Sequence, residues 1–274
     1  MIQFERRSVP TCGYNTSYLQ AGAGEPLILI HGGGAGADSY GNWRECIPLF
    51  AEHMAVYAPD MVGFGHSDCP DPASFTYDAD SRIDQFIAFI EALDLAPANL
   101  VGNSMGGATA LGVAMKRPDL VKNLVLMGSA GLNHGINPAL HPVVNYDFTR
   151  EGMRRVIECL ANPHFIPSDE MLDYRYELSI KPDVLKSYKA IMGWVREQGG
   201  LHFPEEEISK VKNRTLVFNG KDDLVIPMSE AYRFLELLDK SHGYFLPNCR
   251  HWAMIEYPQI FAKVTLDFLD NYSV

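Results

Sequence analysis

Long apolar runs are missing from this chain. None approaches the ~18 residues a bilayer-spanning helix needs, so a membrane-embedded protein is not expected. The opening residues, Met1-Ile2-Gln3-Phe4-Glu5-Arg6-Arg7, carry charge with no apolar core behind them, so no secretory leader is expected. Cysteine is sparse and unpaired. The five residues, Cys12, Cys46, Cys69, Cys159 and Cys249, are odd in number and never spaced Cys-x-x-Cys. That pattern argues against a disulfide framework or a zinc site and suits the reduced thiols of a cytoplasmic protein. Basic charge is also short: 23 Lys and Arg face 34 Asp and Glu, a formal charge of −11. Such a field repels nucleic acid and acidic membranes. Any anionic substrate would therefore need a local cation. There is no internal repeat and no low-complexity segment.

What is present is the material of a globular domain. The 274 residues are 47% hydrophobic and 21% charged, enough for one large α/β domain with an insertion. Short β-rich apolar runs recur at Leu27–Ile30, Met54–Ala58, Asn99–Val101, Leu124–Met127, Thr215–Phe218 and Tyr244–Leu246, and Met1–Gln20 reads as an edge hairpin. Between them lie helical patterns. One carries Ile83, Phe86, Ile87, Ile90 and Leu93, with Asp78, Asp80 and Ser81 as candidate caps. Another opens at Pro258, with Phe261, Val264, Phe268 and Leu269 on one face. Strand–helix alternation predicts a mostly parallel sheet covered on both sides.

The alternation breaks between about Leu132 and Glu207. Three apolar stripes follow one another there without a strand: Met153, Val156, Ile157 and Leu160; Met171, Leu172 and Leu178; Leu185, Tyr188, Met192 and Val195. Their faces need a surface to cover, which predicts a helical cap over residues 132–207, inserted into a core made of residues 1–131 and 208–274.

Gly102-Asn103-Ser104-Met105-Gly106 stands at a strand–helix junction. A Gly-x-Ser-x-Gly turn there lets strand and helix approach closely and pushes the serine hydroxyl outward as a nucleophile. Ser104 then needs a base, and the base an orienter. Asp223 follows the strand Thr215–Phe218, three residues after Gly220 and four before Pro227, and is preferred to Asp222. His251 follows the last strand. The order Ser104, Asp223, His251 is that of the α/β-hydrolase fold. His31-Gly32-Gly33-Gly34-Ala35-Gly36 lacks the Lys-Ser/Thr of a P-loop and the spacing of a dinucleotide fingerprint. Beside a nucleophile turn it reads as half of an oxyanion hole, made by the amides of Gly33 and Met105. Asp60-Met61-Val62-Gly63-Phe64-Gly65-His66-Ser67 reads as a structural loop, with His66 at the surface or in packing.

Arg175 shares a helix face with Met171, Leu172 and Leu178. A cation on an apolar face must meet a partner or suffer desolvation. One reading pairs it with an acid such as Glu177 or one in the neighbourhood of Asp223. The other makes it a bidentate clamp on a substrate carboxylate, the local cation that the acidic field demands. Trp252, Phe165, Trp194, Met153 and Met192 are candidates for lining an apolar pocket, and core packing explains most of them equally well.

Taken together, the segments His31–Gly36, Asn42-Trp43-Arg44, Asp60–Gly65, Gly102–Thr109, Leu126-Met127-Gly128, Arg175 and His251-Trp252 resemble the meta-cleavage product hydrolases. These are α/β-hydrolase enzymes that split carbon–carbon bonds in ring-opened aromatic compounds. Tyr146–Met153, Arg196–Leu201 and His251–Glu256 look most like the carbazole-pathway branch. The resemblance implies a sheet of about eight strands with a helical cap, and a cytoplasmic homo-oligomer that needs no metal or organic cofactor. It implies an anionic dienoate substrate held by Gly32, Gly34, Asn42, Asn103, Arg175 and Trp252. The dienol would ketonise before Ser104 attacks the C6 ketone. Arg250 departs from the family, which usually has glycine before the histidine, and the larger residue would shift that loop or add a second cation. The rivals are a carboxylesterase on the same triad and a non-catalytic binding protein of the same fold. A dehalogenase would want a carboxylate where Ser104 stands.

Overall fold

The computed structural model describes residues 4–132 and 134–270. Eight strands form one sheet: β1 (Glu5–Thr11), β2 (Tyr14–Ala21), β3 (Pro26–Ile30), β4 (Ala55–Pro59), β5 (Ala98–Asn103), β6 (Val121–Met127), β7 (Arg214–Gly220) and β8 (Ser241–Leu246). Their spatial order is β1-β2-β4-β3-β5-β6-β7-β8. β1 and β2 form an antiparallel hairpin, and β2 joins β4 antiparallel; β3 to β8 run parallel. The expected strands are all present; β4 is its run shifted by one residue, and the others are longer than theirs. The expected edge hairpin is there too, although its residues 1–3 lie outside the described residues. Leu27, Ile28, Leu29, Ile30, Leu100, Val101, Leu124, Val125 and Leu126 are fully buried. Strands covered on both faces are continuously apolar, which is why these six-or-fewer-residue runs were legible.

Before the insertion come α1 (Ser39–Trp43), α2 (Ile47–Ala51), α3 (Ala79–Ala92) and α4 (Met105–Lys116). Asp78 caps α3 by accepting from the Ser81 amide at 2.8 Å. Ile83, Phe86 and Ile90 of its expected stripe are buried, whereas Ile87 and Leu93 are half-buried and Phe89 packs inward instead. α3 packs on α4, and α4 on β5 and β6. α4 needs small residues for this: a Cβ on Gly107 would fall 2.3 Å from Ser129 Oγ.

Between β6 and β7 the chain forms α5 (His141–Val144), α6 (Arg150–Leu160), α7 (Asp169–Ser179), α8 (Pro182–Gln198) and α9 (Glu205–Ile208). α5 and α9 are single turns without the long apolar stripe that marks a helix in sequence. α6 buries Met153, Val156, Ile157 and Leu160 as expected. On α8, Val184 and Ile191 are buried where Leu185 was expected, and Leu185 is half-buried. This segment leaves and rejoins the core at one point, where Gly131 and Leu132 bridge to His202. The chain closes with α10 (Met228–Leu237), α11 (Ala253–Glu256) and α12 (Pro258–Leu269). On α12, Thr265 is buried and Val264 only half-buried, a shift of one position around the expected face.

In-register parallel pairing brings the strand ends to one edge. Ile30 pairs Gly102, Asn103 pairs Met127, Met127 pairs Phe218, and Gly220 pairs Leu246. The loops that follow these strands therefore meet, and in open α/β sheets the carboxyl edge is where ligands bind.

Candidate active site

β5 ends at Asn103 and α4 begins at Met105, so Ser104 alone makes the turn. Its φ of 57° and ψ of −119° lie where a non-glycine residue is strained. The neighbouring glycines make that turn possible. A Cβ on Gly102 would fall 2.3 Å from the Gly106 carbonyl oxygen, and one on Gly106 2.3 Å from that of Ile30. Ser104 opens into a cavity of about 70 Å³ shared with Gly32, Gly33, Gly34, Asn103, Met105, His251 and Trp252. Leu140, Val143, Val144, Leu160, Met192 and Val195 from the insertion close its apolar side.

His251 is buried, and its Nδ1 lies 2.8 Å from Asp223 Oδ2. The other carboxylate oxygen accepts from the amides of Val225 at 2.8 Å and Ile226 at 3.0 Å, so the carboxylate cannot rotate freely. Asp222 is exposed and takes no part. With Nδ1 engaged, Nε2 is the ring atom left to face Ser104; the two side chains share a cavity wall but no hydrogen bond in this structure. Such bonds are often long until substrate is present. Gly128, at φ 49°, makes room for the pair: a Cβ there would stand 3.0 Å from His251 Nδ1 and 3.2 Å from Asp223 Oδ2. The reason for glycine there is not readable from its neighbours in the chain, because the atoms that exclude a Cβ belong to Asp223 and His251.

The glycine loop is fixed from below by His31. Its Nε2 accepts from the Met61 amide at 2.9 Å, which places the proton on Nδ1, 2.8 Å from the Gly32 carbonyl. Burial pushes its pKa below the ordinary histidine value, so the ring stays neutral. Gly33 lies against Met105, whose side chain a Cβ at residue 33 would strike at 2.5 Å. Met105 opens α4, so its amide has no acceptor inside the helix. Asn103 donates to the Met127 carbonyl at 3.1 Å and to that of His251 at 3.4 Å, while its own Oδ1 is buried without a donor.

Arg175 is 1% exposed and belongs to no ion pair among the described residues. Glu177, the acid considered for it, does not reach it. Its Nη2 donates to Asn42 Oδ1 at 2.9 Å and to the Gly41 carbonyl at 3.2 Å. Its guanidinium carbon sits 4.5 Å from the centre of the Trp252 ring, and Nε has no partner. Burial lowers its pKa to about 10 despite nearby Asp38. Arg175 and Asn42 thus stand together behind Trp252; neither is on the cavity wall as it now lies. Of the other apolar candidates, Met192 joins Trp252 on that wall, Trp194 and Phe165 line separate cavities, and Met153 is core.

Arg250 is not a second cation at the cavity. Its Nη1 donates to the carbonyls of Glu158 at 3.1 Å and Ala161 at 3.2 Å, at the end of α6. The His251 amide donates to the Leu160 carbonyl at 3.0 Å, and Glu256 accepts from the amides of Asn162 and Arg250 at 3.2 Å. The histidine loop and α6 are therefore stitched together. Asp38, Asp60 and His66 are the cluster closest to a metal-ligating geometry among the described residues. Asp60 accepts from the Ser39 and His66 amides and from Arg6, at 2.7, 2.9 and 3.1 Å, which ties the Asp60–Ser67 loop to its neighbours.

Residues 25–258 match the family described as alpha/beta hydrolase fold, and the chain belongs to it. The nearer likenesses narrow the class. The chain is 51% identical to 2-hydroxy-6-oxo-6-(2'-aminophenyl)hexa-2,4-dienoic acid hydrolase of Metapseudomonas resinovorans, over 98% of this chain and 92% of that one. It is 36% identical to 2-hydroxymuconate semialdehyde hydrolase of Pseudomonas sp. strain CF600, over 96% and 93%. A crystal structure of a serine hydrolase involved in carbazole degradation superimposes with a TM-score of 0.91 at 49% identity, over 98% and 99%. Within the fold family this is a meta-cleavage product hydrolase, a serine-dependent carbon–carbon bond hydrolase similar to the carbazole-pathway enzyme.

Proposed function

We propose that the protein hydrolyses a 2-hydroxy-6-oxo-6-substituted hexa-2,4-dienoate to 2-hydroxypenta-2,4-dienoate and a carboxylic acid, with an aryl group on C6. The relative named for the 2'-aminophenyl compound supports that substituent. Residues 132–207 act as a cap closing over the substrate. Arg175 and the amide NH₂ of Asn42 hold the carboxylate and 2-oxo end, since Asn42 Oδ1 is already engaged by the guanidinium. Asn103, Gly32, Gly34 and Trp252 contact the chain between the two ends.

The dienol first ketonises: the 2-hydroxyl becomes a 2-oxo group and a proton moves to C5, which separates the C6 ketone from the conjugated acid end. Ser104, relieved of its proton by His251 Nε2, attacks C6, and Asp223 stabilises the imidazolium. The amides of Gly33 and Met105 receive the developing oxyanion; losing one such donor typically costs ~10²–10³ in rate. The C5–C6 bond breaks as its electron pair spreads through the chain into the 2-oxo end, the proton held by His251 passes by way of water to that oxygen to give 2-hydroxypenta-2,4-dienoate, and water then hydrolyses the acyl-serine with His251 as base. A carbon leaving group is poor unless its charge spreads into a conjugated acid, so this chemistry needs the acid end held tightly. Every proton moves between substrate, water and the side chains named, so neither metal nor cofactor enters. A cytoplasmic homo-oligomer is the form we propose; no helix among the described residues is long and apolar enough to cross a membrane.

The observation that carries the reading is Arg175, a buried guanidinium without a carboxylate partner against the wall of the serine cavity. A plain esterase has no use for it. Loss of the yellow dienoate chromophore should proceed with a kcat/KM far above that for p-nitrophenyl esters, and Ser104→Ala should bind the dienoate without turning it over. Higher efficiency on the ester would favour the carboxylesterase.

A further inference from the structure

A second buried guanidinium lines a separate cavity that shares Leu201 with the serine cavity. Arg82, on α3, is 2% exposed, and among the described residues it belongs to no ion pair. Its Nη1 makes one bond, to the Tyr77 carbonyl at 3.3 Å, and its Nε is buried without a partner. Its guanidinium carbon lies 5.4 Å from the centre of the Trp194 ring. We propose that the cavity walled by Arg82 and Trp194 binds an aromatic carboxylate.

Three features support this occupant. The cavity measures about 120 Å³, close to the ~150 Å³ of a protein cavity known to hold benzene. Its lining joins the Arg82 guanidinium and the Trp194 ring to apolar Ile83, Ala108 and Leu201, a mixture that suits a ring bearing one negative group, while the Thr109 hydroxyl already donates to the Met105 carbonyl. Burial holds the Arg82 pKa down to about 10, so its charge is poorly solvated and gains from an entering anion. Asp78 offsets only part of that burial, and no carboxylate among the described residues forms an ion pair with Arg82.

The position suggests which aromatic acid. Leu201 walls both this cavity and the one holding Ser104. Thr109 is four residues beyond Met105 on α4, ~6 Å along the helix. If the proposed reaction holds, an aroyl-serine is hydrolysed beside Leu201, and the acid released carries the ring and charge that this cavity accepts. That last step rests on the proposed function; the site does not.

The test is calorimetric titration of the full-length protein with benzoate, with acetate as the anion lacking a ring. Arg82→Gln should weaken benzoate binding at least tenfold, Trp194→Leu about threefold, and acetate should bind at least tenfold more weakly than benzoate. Ser104→Ala should bind benzoate as the wild type does. Because Arg82→Gln could fail to fold, a crystal soaked with 4-bromobenzoate supplies a measurement free of any variant, and anomalous signal beside Arg82 supports the site. Benzoate binding unchanged in folded Arg82→Gln, or bromine found only beside Ser104 or nowhere, overturns it. Binding that depends on Arg82 in a protein that leaves dienoates intact supports this site and overturns the reaction alone.

Discussion

Replacing Arg175 with Met separates catalysis from folding in an unusual direction. The guanidinium is fully buried, and burial lowers its pKa from the ordinary arginine value to about 10. At about 1.4 kcal/mol for each pH unit, keeping it charged costs about 3 kcal/mol in the free enzyme, at every pH below about 10. Two hydrogen bonds and the stack on Trp252 return part of that. Exchange of a buried charge for an apolar side chain of similar volume is often neutral or stabilising, so the midpoint of thermal unfolding should stay level or rise. The dienoate meets the opposite outcome. Its carboxylate would enter with no cation, and removing one member of a buried charged pair costs about 2–5 kcal/mol, a fall in kcat/KM of about 30- to 4,000-fold. A p-nitrophenyl ester without a carboxylate should lose less than threefold. Stopped-flow loss of the chromophore, ester turnover and a thermal melt on one preparation measure all three. Dienoate turnover within threefold of wild type, or equal losses on both substrates with a lowered melt, would refute the clamp.

Three further outcomes follow from the geometry. Asp223→Asn must keep its oxygen toward the amides of Val225 and Ile226, which turns its NH₂ against His251 Nδ1 and forces the wrong tautomer. We expect kcat to fall about 10³–10⁴-fold with the fold intact by circular dichroism, and a loss under tenfold would dismiss Asp223 as the orienter. Arg250→Gly removes two bonds to α6 carbonyls, partly exposed and together worth about 1 kcal/mol. The melt should drop by about 2 °C, with faster amide exchange at residues 160–162 and less than a tenfold change in kcat; an unchanged melt and exchange would show that the stitch is idle. Glu230 is pushed up to about 7 by burial first and by Asp223 second. Its folded value exceeds its unfolded one, so the folded state holds the extra proton, and stability declines as pH rises from about 4.5 to 7. Glu230→Gln should remove that decline, so its melting advantage over wild type should grow between pH 5 and 8; an advantage independent of pH contradicts the assignment.

The strands and the major helices were readable because a parallel sheet buried on both faces must be apolar throughout, and amphipathic helices must repeat every three to four residues. Boundaries and half-buried positions slipped. Ile87, Leu93, Leu185 and Val264 are apolar and correctly spaced, yet they stand at the margin of their faces. Only the neighbouring elements decide how wide a stripe is covered. The single turns α5 and α9 are too short for periodicity to mark.

From the chain alone came the order of chemistry-bearing residues, the strained serine turn and the need for a cation, because these depend on residue type and local spacing. Tertiary structure decided the rest. Contacts across long sequence separations set Asp223 rather than Asp222 beside His251, drew glycine to residue 128 where any Cβ would press on that pair, and turned Arg250 toward helix carbonyls. The same contacts left Arg82 and Arg175 each buried beside a tryptophan with no ion pair among the described residues. Periodicity can place an arginine on a face, but only packing settles what waits opposite it.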